Sequence, residues 1–484
     1  MSSSVESGRL ESVDPSTGEV VFDAPAHSAD DLDTLLEEAH TAQRHWRRVP
    51  VPERSQAIQT FADELAGHRA ELAELVSVEM GKPIGEAETE IDKSVGACRV
   101  YAELGPGWIA PEGIETGFER ASVRFDPLGV ILAIMPWNFP VWQVVRMVAP
   151  ALLAGNTVVL KHASNVSQCA LMLQRVAAAA GLGDGRFAAV LCRSGAVAPL
   201  IADRRIAAVC VTGSSAVGAE VASVAGRHLK PQVLELGGSD AFLVLDDADV
   251  EAATVAAVQA RFLNAGQSCV AAKRFVVADG VFEDFVEGFV AGAEALTLGN
   301  PRDRATRLGP LARRDLRDDL AQQVTGSVRL GARCLTGGQP VDGPGNFYRP
   351  TVLVDVDPSM PVIAEETFGP AAPVMRVRDD EEAIAVANAS QFGLGASVWT
   401  SDPARADAIA AQLEVGSVFV NGRVSSDARL PFGGVKQSGY GRELGEFGIR
   451  ALTNVKTVAF TALPPRTVAA LESRDVAPVG GERA

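Results

Sequence analysis

Residues 130–164 read VILAIMPWNFPVWQVVRMVAPALLAGNTVVLKHAS, and the two ends of this stretch decide the fold. VILAIM (130–135) and TVVL (157–160) are short apolar runs without the polar alternation of a half-exposed strand. That texture predicts strands covered on both faces. It recurs outward in AAVLC (188–192), AAVCVTG (207–213), QVLELGG (232–238) and AFLVLDD (241–247), with alanine-rich helices over 165–180 and 215–226 in the gaps. Buried strands alternating with helices predict a parallel α/β sheet. A second series follows: helix 249–263, strand RFVVA, helix 281–296, strand TVLVDV, helix DEEAIAVANA, strand ASVWT, helix 403–413 and strand SVFVNG. It predicts a second α/β unit.

Upstream, apolar residues at helical spacing over 29–48 and 51–80 predict surface-packing helices. FERASVRFD (118–126) and LTNVKTVAF (452–460) alternate in character and belong to neither series, so they are expected to pair as a protruding ribbon. The last twenty or so residues are expected to be a loose tail.

A chain of 484 residues is too long for one compact core. The formal charge of −17 and the lack of a basic block argue against nucleic acid and against an anionic membrane surface as partners. The N-terminus, MSSSVESGRLESVDP, has no basic start and no apolar core, and no apolar run is long enough to cross a bilayer. The six cysteines (98, 169, 192, 210, 269, 334) are scattered, with no metal-ligand spacing, and the six histidines form no cluster. A reducing, cytoplasmic setting without a metal is expected.

Four stretches carry chemistry. In NAGQSCVAAK (264–273), Cys269 sits among small polar residues, with Gly266 before it and Lys273 after it. Such a loop suits an accessible thiolate better than a packing residue. In VLELGGSDAF (233–242), Glu235 lies between two leucines at the end of a strand, where a carboxylate is costly unless paired or employed as a base. PWNFP (136–140) is a stiff strand exit whose Asn138 is either a turn cap or a neutral donor for an oxyanion. VTGSSAVG (211–218) closes a strand and opens a helix, a phosphate-holding geometry that meets neither standard nucleotide fingerprint, and Lys161 sits at another strand's carboxyl end.

With EETFGP (365–370) and PFGGVKQSGYGRE (431–443), these stretches, in this order and spacing, closely resemble the aldehyde dehydrogenase superfamily over residues 10 to 460. The nearest likeness is to its NAD(P)-dependent succinate-semialdehyde dehydrogenase branch. The resemblance implies a Rossmann-like cofactor-binding domain (1–117 and 140–248), an α/β catalytic domain (249–440), an oligomerisation ribbon (118–139 and 441–464) and a flexible tail (465–484). It places the nucleophile on Cys269, the general base on Glu235 and the oxyanion amide on Asn138, helped by the backbone N–H of Cys269. Cofactor contacts fall on Trp137, Lys161, His162, Ala163, Ser164, Gly213, Ser214 and Leu236, and on Glu366 and Phe368. The chemistry implied is thiolate attack on an aldehyde, oxidation of the adduct to a thioester with reduction of a nicotinamide, and hydrolysis by a water that Glu235 activates.

Relatives that prefer NAD carry glutamate where Ser164 stands, so the resemblance leans towards NADP without excluding NAD. Arg146 matches an arginine that binds the distal carboxylate of the branch's substrate; on its residues alone it reads as a helix-surface salt bridge. Ser425 and Ser426 fall near a second carboxylate contact. The branch's second arginine is replaced by Leu263, with Arg261 or Arg423 as possible substitutes. Ala271 removes the neighbouring-cysteine redox switch of some relatives. The expectation is oxidation of succinate semialdehyde to succinate, with another aliphatic or betaine-type aldehyde as the alternative and a homodimer or homotetramer as the assembly. A cofactor-free thiol esterase would have no use for Lys161, Glu366 and Phe368, and a retired, non-enzymatic relative would have lost Cys269 or Glu235.

Overall fold

The computed structural model describes residues 8–461. The expected tail at 465–484 lies outside the described residues. Two parallel-rich sheets organise the chain. In the first, the order is Gly439–Tyr440, Gln232–Glu235, Ile206–Thr212, Val130–Met135, Thr157–His162 and Phe187–Ala189, parallel throughout except at the Gly439–Tyr440 edge. In the second, the order is Arg333–Thr336, Thr351–Val354, Ala371–Val377, Ala272–Ala278, Asp240–Val244, Gly395–Trp399 and Ser417–Val420, with only the first pair antiparallel. Helices cover both sheets, as continuous apolar strands require.

Three stretches lie in a different sheet from the one the domain boundaries implied; one is Gly439–Tyr440, set with the catalytic unit and paired antiparallel with Gln232–Glu235 at the edge of the first sheet. Val130–Met135 was set with the ribbon, yet all six residues are buried and it is a central strand of the first sheet, paired with Thr157–His162 and Ile206–Thr212. So apolar a strand needs partners on both edges and cover on both faces. Asp240–Val244 was grouped with the first unit, and instead pairs with Ala272–Ala278 and Gly395–Trp399 in the second. The chain crosses between sheets at Gly237–Gly238, where a side chain on Gly238 would run into the Cys269 carbonyl.

The alternating stretches pair antiparallel from Thr453↔Pro127 to Phe460↔Arg120, with Glu112–Gly113 on the other edge of Arg120–Pro127. Elements not expected from the sequence include the hairpin Arg9–Val13/Val20–Pro25, the 25-residue helix Ile84–Trp108, the helix Arg314–Arg329 with the strand Arg333–Thr336, and the strand Ala371–Val377. The helix Ile84–Trp108 packs its apolar face (Ala87, Ile91, Val95, Cys98) into the largest core and leaves Glu86 and Lys93 facing a cavity.

Candidate active site

Four strands of the first sheet end on one cleft. Pro136, Trp137 and Asn138 follow Val130–Met135; Lys161 and Ala163 end and follow Thr157–His162; Thr212 and Gly213 end and follow Ile206–Thr212; Leu236 and Gly237 follow Gln232–Glu235. Carboxyl ends of parallel strands are where open α/β sheets hold ligands. The cleft has a volume of about 410 Å³ and is closed from the second unit by Cys269, Glu366, Phe368, Arg313 and Leu316. A separate cavity of about 180 Å³ lies on the other side of Cys269, lined by Glu86, Lys93, Trp142, Arg146, Arg423 and Ser426 among others. Cys269 and Gln143 line both.

The turn before Cys269 is strained. Asn264 and Ala265 have φ of 52° and 53°, and Gly266 has φ of 73°. A non-glycine residue held there stores roughly 1–3 kcal/mol. The strain persists because the turn is tied on every side. Asn264 N–H donates to Glu86 (2.8 Å), its side-chain amide donates to the Asn138 carbonyl (2.8 Å), and Ala312 N–H donates to the Gln267 side chain (2.9 Å). Lys273 Nζ donates to the carbonyls of Ser268 and Cys269, both at 2.9 Å. Asn264 and Gln267 are buried and their side chains are the hydrogen-bonded frame of the turn, whereas Ser268 lines the cavity beside Cys269.

Asn138 is held in one orientation. Its Nδ2 donates to the Gln267 carbonyl (2.9 Å) and its Oδ1 accepts from Gln143 (3.1 Å), which leaves the second Nδ2 hydrogen for a ligand. His162, expected among the cofactor contacts, turns into the protein instead. Ala163 N–H donates to its Nδ1 (3.0 Å), and its Nε2 lies 2.9 Å from the Pro140 carbonyl. Its Nδ1 also lies 3.1 Å from the Met135 carbonyl; burial pushes its pKa down to about 4, so the ring is neutral and braces PWNFP against the end of Thr157–His162. Ser164 is exposed, and the Ser214 hydroxyl caps the helix Ser215–Arg227 by accepting from Val217 N–H (3.3 Å). Glu366 accepts from Gly238 N–H (3.0 Å), and Phe368 meets Trp137 edge to face at 5.7 Å.

Burial pushes the Cys269 thiol up to about 11, with Arg146 and Lys273 pulling the other way. Glu235 is buried with both oxygens unpartnered, and desolvation, then the nearby Glu443, holds its pKa well above the carboxylate range. Its carboxylate lies towards Gly433, where an added side-chain carbon would stand 2.5 Å from Oε1.

Arg146 is not on a helix surface. It is buried, ion-paired with Glu443, 3.3 Å from the Thr212 hydroxyl and 4.9 Å from the Phe432 ring centroid. Burial raises Glu443, and Arg146 opposes the rise. Of the two arginines considered in place of Leu263, Arg261 is committed elsewhere, to the carbonyls of Ala272, Thr367 and Gly369, whereas Arg423 lines the cavity with Ser425 and Ser426.

Sequence reasoning passed over Lys82, Glu86, Glu90, Lys93 and Glu443. The buried pair Lys82–Glu90 supports the site from behind: Glu90 accepts from the N–H groups of Val141 (2.8 Å) and Trp142 (2.9 Å), and Lys82 donates to the Asn138 carbonyl (3.0 Å). The available signal was charge at helical spacing on an otherwise apolar face, Glu86, Glu90 and Lys93 among Ala87, Ile91 and Val95.

The family model described as Aldehyde dehydrogenase family matches residues 2–458. A succinate semialdehyde dehydrogenase [NAD(P)+] of Escherichia coli is 46% identical over 92% of this chain and 97% of its own length. A probable succinate-semialdehyde dehydrogenase [NADP(+)] of Synechocystis is 45% identical over 93% and 99%. The crystal structure of succinic semialdehyde dehydrogenase from Streptococcus pyogenes in complex with NADP+ superposes with a TM-score of 0.91 at 35% identity, over 94% of this chain and all of that one. With its fold, its ordered motifs and these likenesses in agreement, the chain belongs to the aldehyde dehydrogenase family.

Proposed function

We propose that this protein oxidises succinate semialdehyde to succinate, with NADP as the preferred cofactor and NAD as the second choice. The observation that carries the proposal is the position of Cys269, in the wall of a strand-end cleft on one side and of a cation-lined cavity on the other. The relatives named above, which cover nearly all of the chain, support the same substrate and cofactor.

The cleft suits a dinucleotide. Gly213 and Ser214 stand at the start of a 13-residue helix whose N-terminal amides favour a phosphate. Lys161 adds a positive charge, Trp137 and Phe368 offer apolar faces, and Glu366, fixed by Gly238, is placed to accept from a ribose hydroxyl. Exposed Ser164, with no carboxylate of its own, leaves room for a 2′-phosphate near Lys161. When bound, the oxidised nicotinamide supplies a hydride acceptor.

The chain's own residues do the rest. Cys269 Sγ adds to the aldehyde carbon. The free Nδ2 hydrogen of Asn138 and the backbone N–H of Cys269 receive the oxygen as it becomes anionic, a fixed neutral donor of this kind contributing about 3 kcal/mol. After oxidation to the thioester, Glu235 turns from Gly433 and takes a proton from the hydrolytic water. Arg146 and Arg423 favour an aldehyde with a distal carboxylate, and they disfavour a betaine-type aldehyde, whose permanent positive charge would face two guanidiniums. The ribbon Arg120–Pro127/Thr453–Phe460, with exposed Val455 and Phe460, supports a homodimer or homotetramer.

The test is absorbance of the reduced cofactor with succinate semialdehyde, butanal and betaine aldehyde, each with NADP and with NAD. Fastest turnover of succinate semialdehyde with NADP is expected. Equal rates on succinate semialdehyde and butanal would remove the substrate assignment, and cofactor-independent ester hydrolysis without aldehyde oxidation would remove the reaction itself.

A further inference from the structure

Leucine at position 263 leaves one wall of the substrate cavity without the charge that a second carboxylate anchor needs, and the helix Ile84–Trp108 brings a charge there from elsewhere. Glu86, Glu90 and Lys93 follow one another at spacings of four and three, so they share a face. Four cations line the cavity: Lys82, Lys93, Arg146 and Arg423. Lys82 has Glu90 as its buried partner and Arg146 has Glu443. Lys93 has no carboxylate of its own among the described residues. Its Nζ is 2.7 Å from the Ser426 hydroxyl and 4.4 Å from the Trp142 ring centroid.

We propose that Lys93 is the second anchor for the distal carboxylate of the substrate, acting with Ser426 and with Arg423 at the more exposed edge of the cavity. This rests on the acid-aldehyde reading of the same site and adds the residue that sets the specificity.

An ammonium has three hydrogens to donate; Ser426 takes one and the aromatic face screens only one side. A half-buried cation beside two guanidiniums is costly unless an anion joins it. Three of the four nearby carboxylates are already held: Glu90 by Lys82 and two backbone N–H groups, Asp427 by Arg429 and Glu443 by Arg146. The fourth, Glu86, accepts from Asn264 N–H, and burial pushes it up to about 7, which weakens it as a counter-ion. An incoming carboxylate is the missing counter-ion. Burial, followed by repulsion from Arg146 and Arg423 and opposed by Glu90 and Asp427, brings Lys93 down to about 8. Its charge is therefore present below about pH 8 and is lost as pH rises through that value. Loss of the charge weakens binding of the acid and leaves an uncharged aldehyde untouched.

The experiment is the ratio of kcat/KM for succinate semialdehyde to kcat/KM for butanal, measured from pH 6.5 to 9.5 with the full-length protein and saturating cofactor. Butanal has the same number of carbons without the carboxylate, so titration of Cys269 or Glu235 cancels in the ratio. For Lys93→Met the ratio at pH 7 is expected to fall on the order of tenfold to a hundredfold, as for loss of one charged hydrogen bond. The part of the decline centred near pH 8 should vanish in that variant, leaving only the part that follows ionisation of Glu86 near pH 7. Lys93→Arg should keep most of the preference and move the decline to higher pH. It also decides the matter if the methionine variant does not fold. A parent protein that prefers succinate semialdehyde, with the preference intact within twofold in Lys93→Met, or with an unshifted decline in Lys93→Arg, overturns the anchor alone. A parent protein with no preference at all overturns the acid-aldehyde reading beneath it.

Discussion

Cys269 separates two cavities built by opposite means. On the proposed cofactor side the walls are strand ends and the turns that follow them: Trp137, Lys161, Thr212, Gly213 and Leu236 all lie within two residues of the end of a buried strand. On the proposed substrate side the walls are side chains thrown in from remote segments: Glu86 and Lys93 from one helix, Arg146 from another, Arg423 to Ser426 from a loop nearly 300 residues further along the chain. The first kind of site is a property of backbone ends and tolerates many side chains. The second is defined by which charges meet, and a single substitution can change the ligand it accepts.

The sharpest way to break this contrast is at the shared wall. Cys269→Ala should lower dehydrogenase turnover by at least about four orders of magnitude, because no other group can form the covalent adduct, while NADP affinity from fluorescence titration stays within severalfold. Loss of both together would mean that the two cavities are not separable. Asn138→Ala comes next, with kcat down roughly a hundred- to a thousandfold for every aldehyde, charged or not, as measured by steady-state kinetics.

Arg146 tests the substrate side. Arg146→Ala leaves Glu443 buried without its cation and should lower stability by about 3–5 kcal/mol in chemical denaturation, with selective loss of activity on carboxylated aldehydes. Adding Glu443→Gln should restore much of the stability and none of the selectivity. Recovery of selectivity in the double variant would assign Arg146 to structure alone. Alkylation of Cys269 reports on its environment: the rate with iodoacetamide, without added cofactor, should rise about tenfold per pH unit from 7 to 10, because a thiol at about 11 is ionised to an extent that grows with pH throughout that range. A plateau near pH 8 would contradict the desolvated thiol. The smallest effect is expected from Ser425→Ala, a severalfold rise in KM for succinate semialdehyde, in line with a neutral hydrogen bond of about 0.5–1.5 kcal/mol.

Legibility followed the same division. The strands VILAIM and TVVLKH could be read because both faces are covered, and the pairing of 118–126 with 452–460 because one face of each is not. Their partners within each sheet could not be read: nothing local distinguishes Asp240–Val244, which joins the second sheet, from Gln232–Glu235, which joins the first. Cys269, Glu235 and Asn138 stood out as polar groups at strand ends or in turns. Glu443 did not, although it lies inside a quoted motif, because its meaning depends on Arg146 arriving from nearly 300 residues away. Asn264 and Gln267 were noticed for the wrong reason, since polarity in sequence is the same whether a residue faces solvent or frames a buried turn.

The sequence by itself determined the two α/β units and the family resemblance, and it singled out Cys269 as the candidate nucleophile, since each depends on residues close together along the chain. Only the tertiary structure decided that His162 braces PWNFP, that Arg261 is spent on carbonyls, and that Lys93 and Arg423 face a cavity holding Arg146. The physical reason is that backbone conformation and strand burial are governed by near neighbours, whereas the charge and hydrogen-bonding state of a side chain is set by whatever the fold brings within a few ångströms of it.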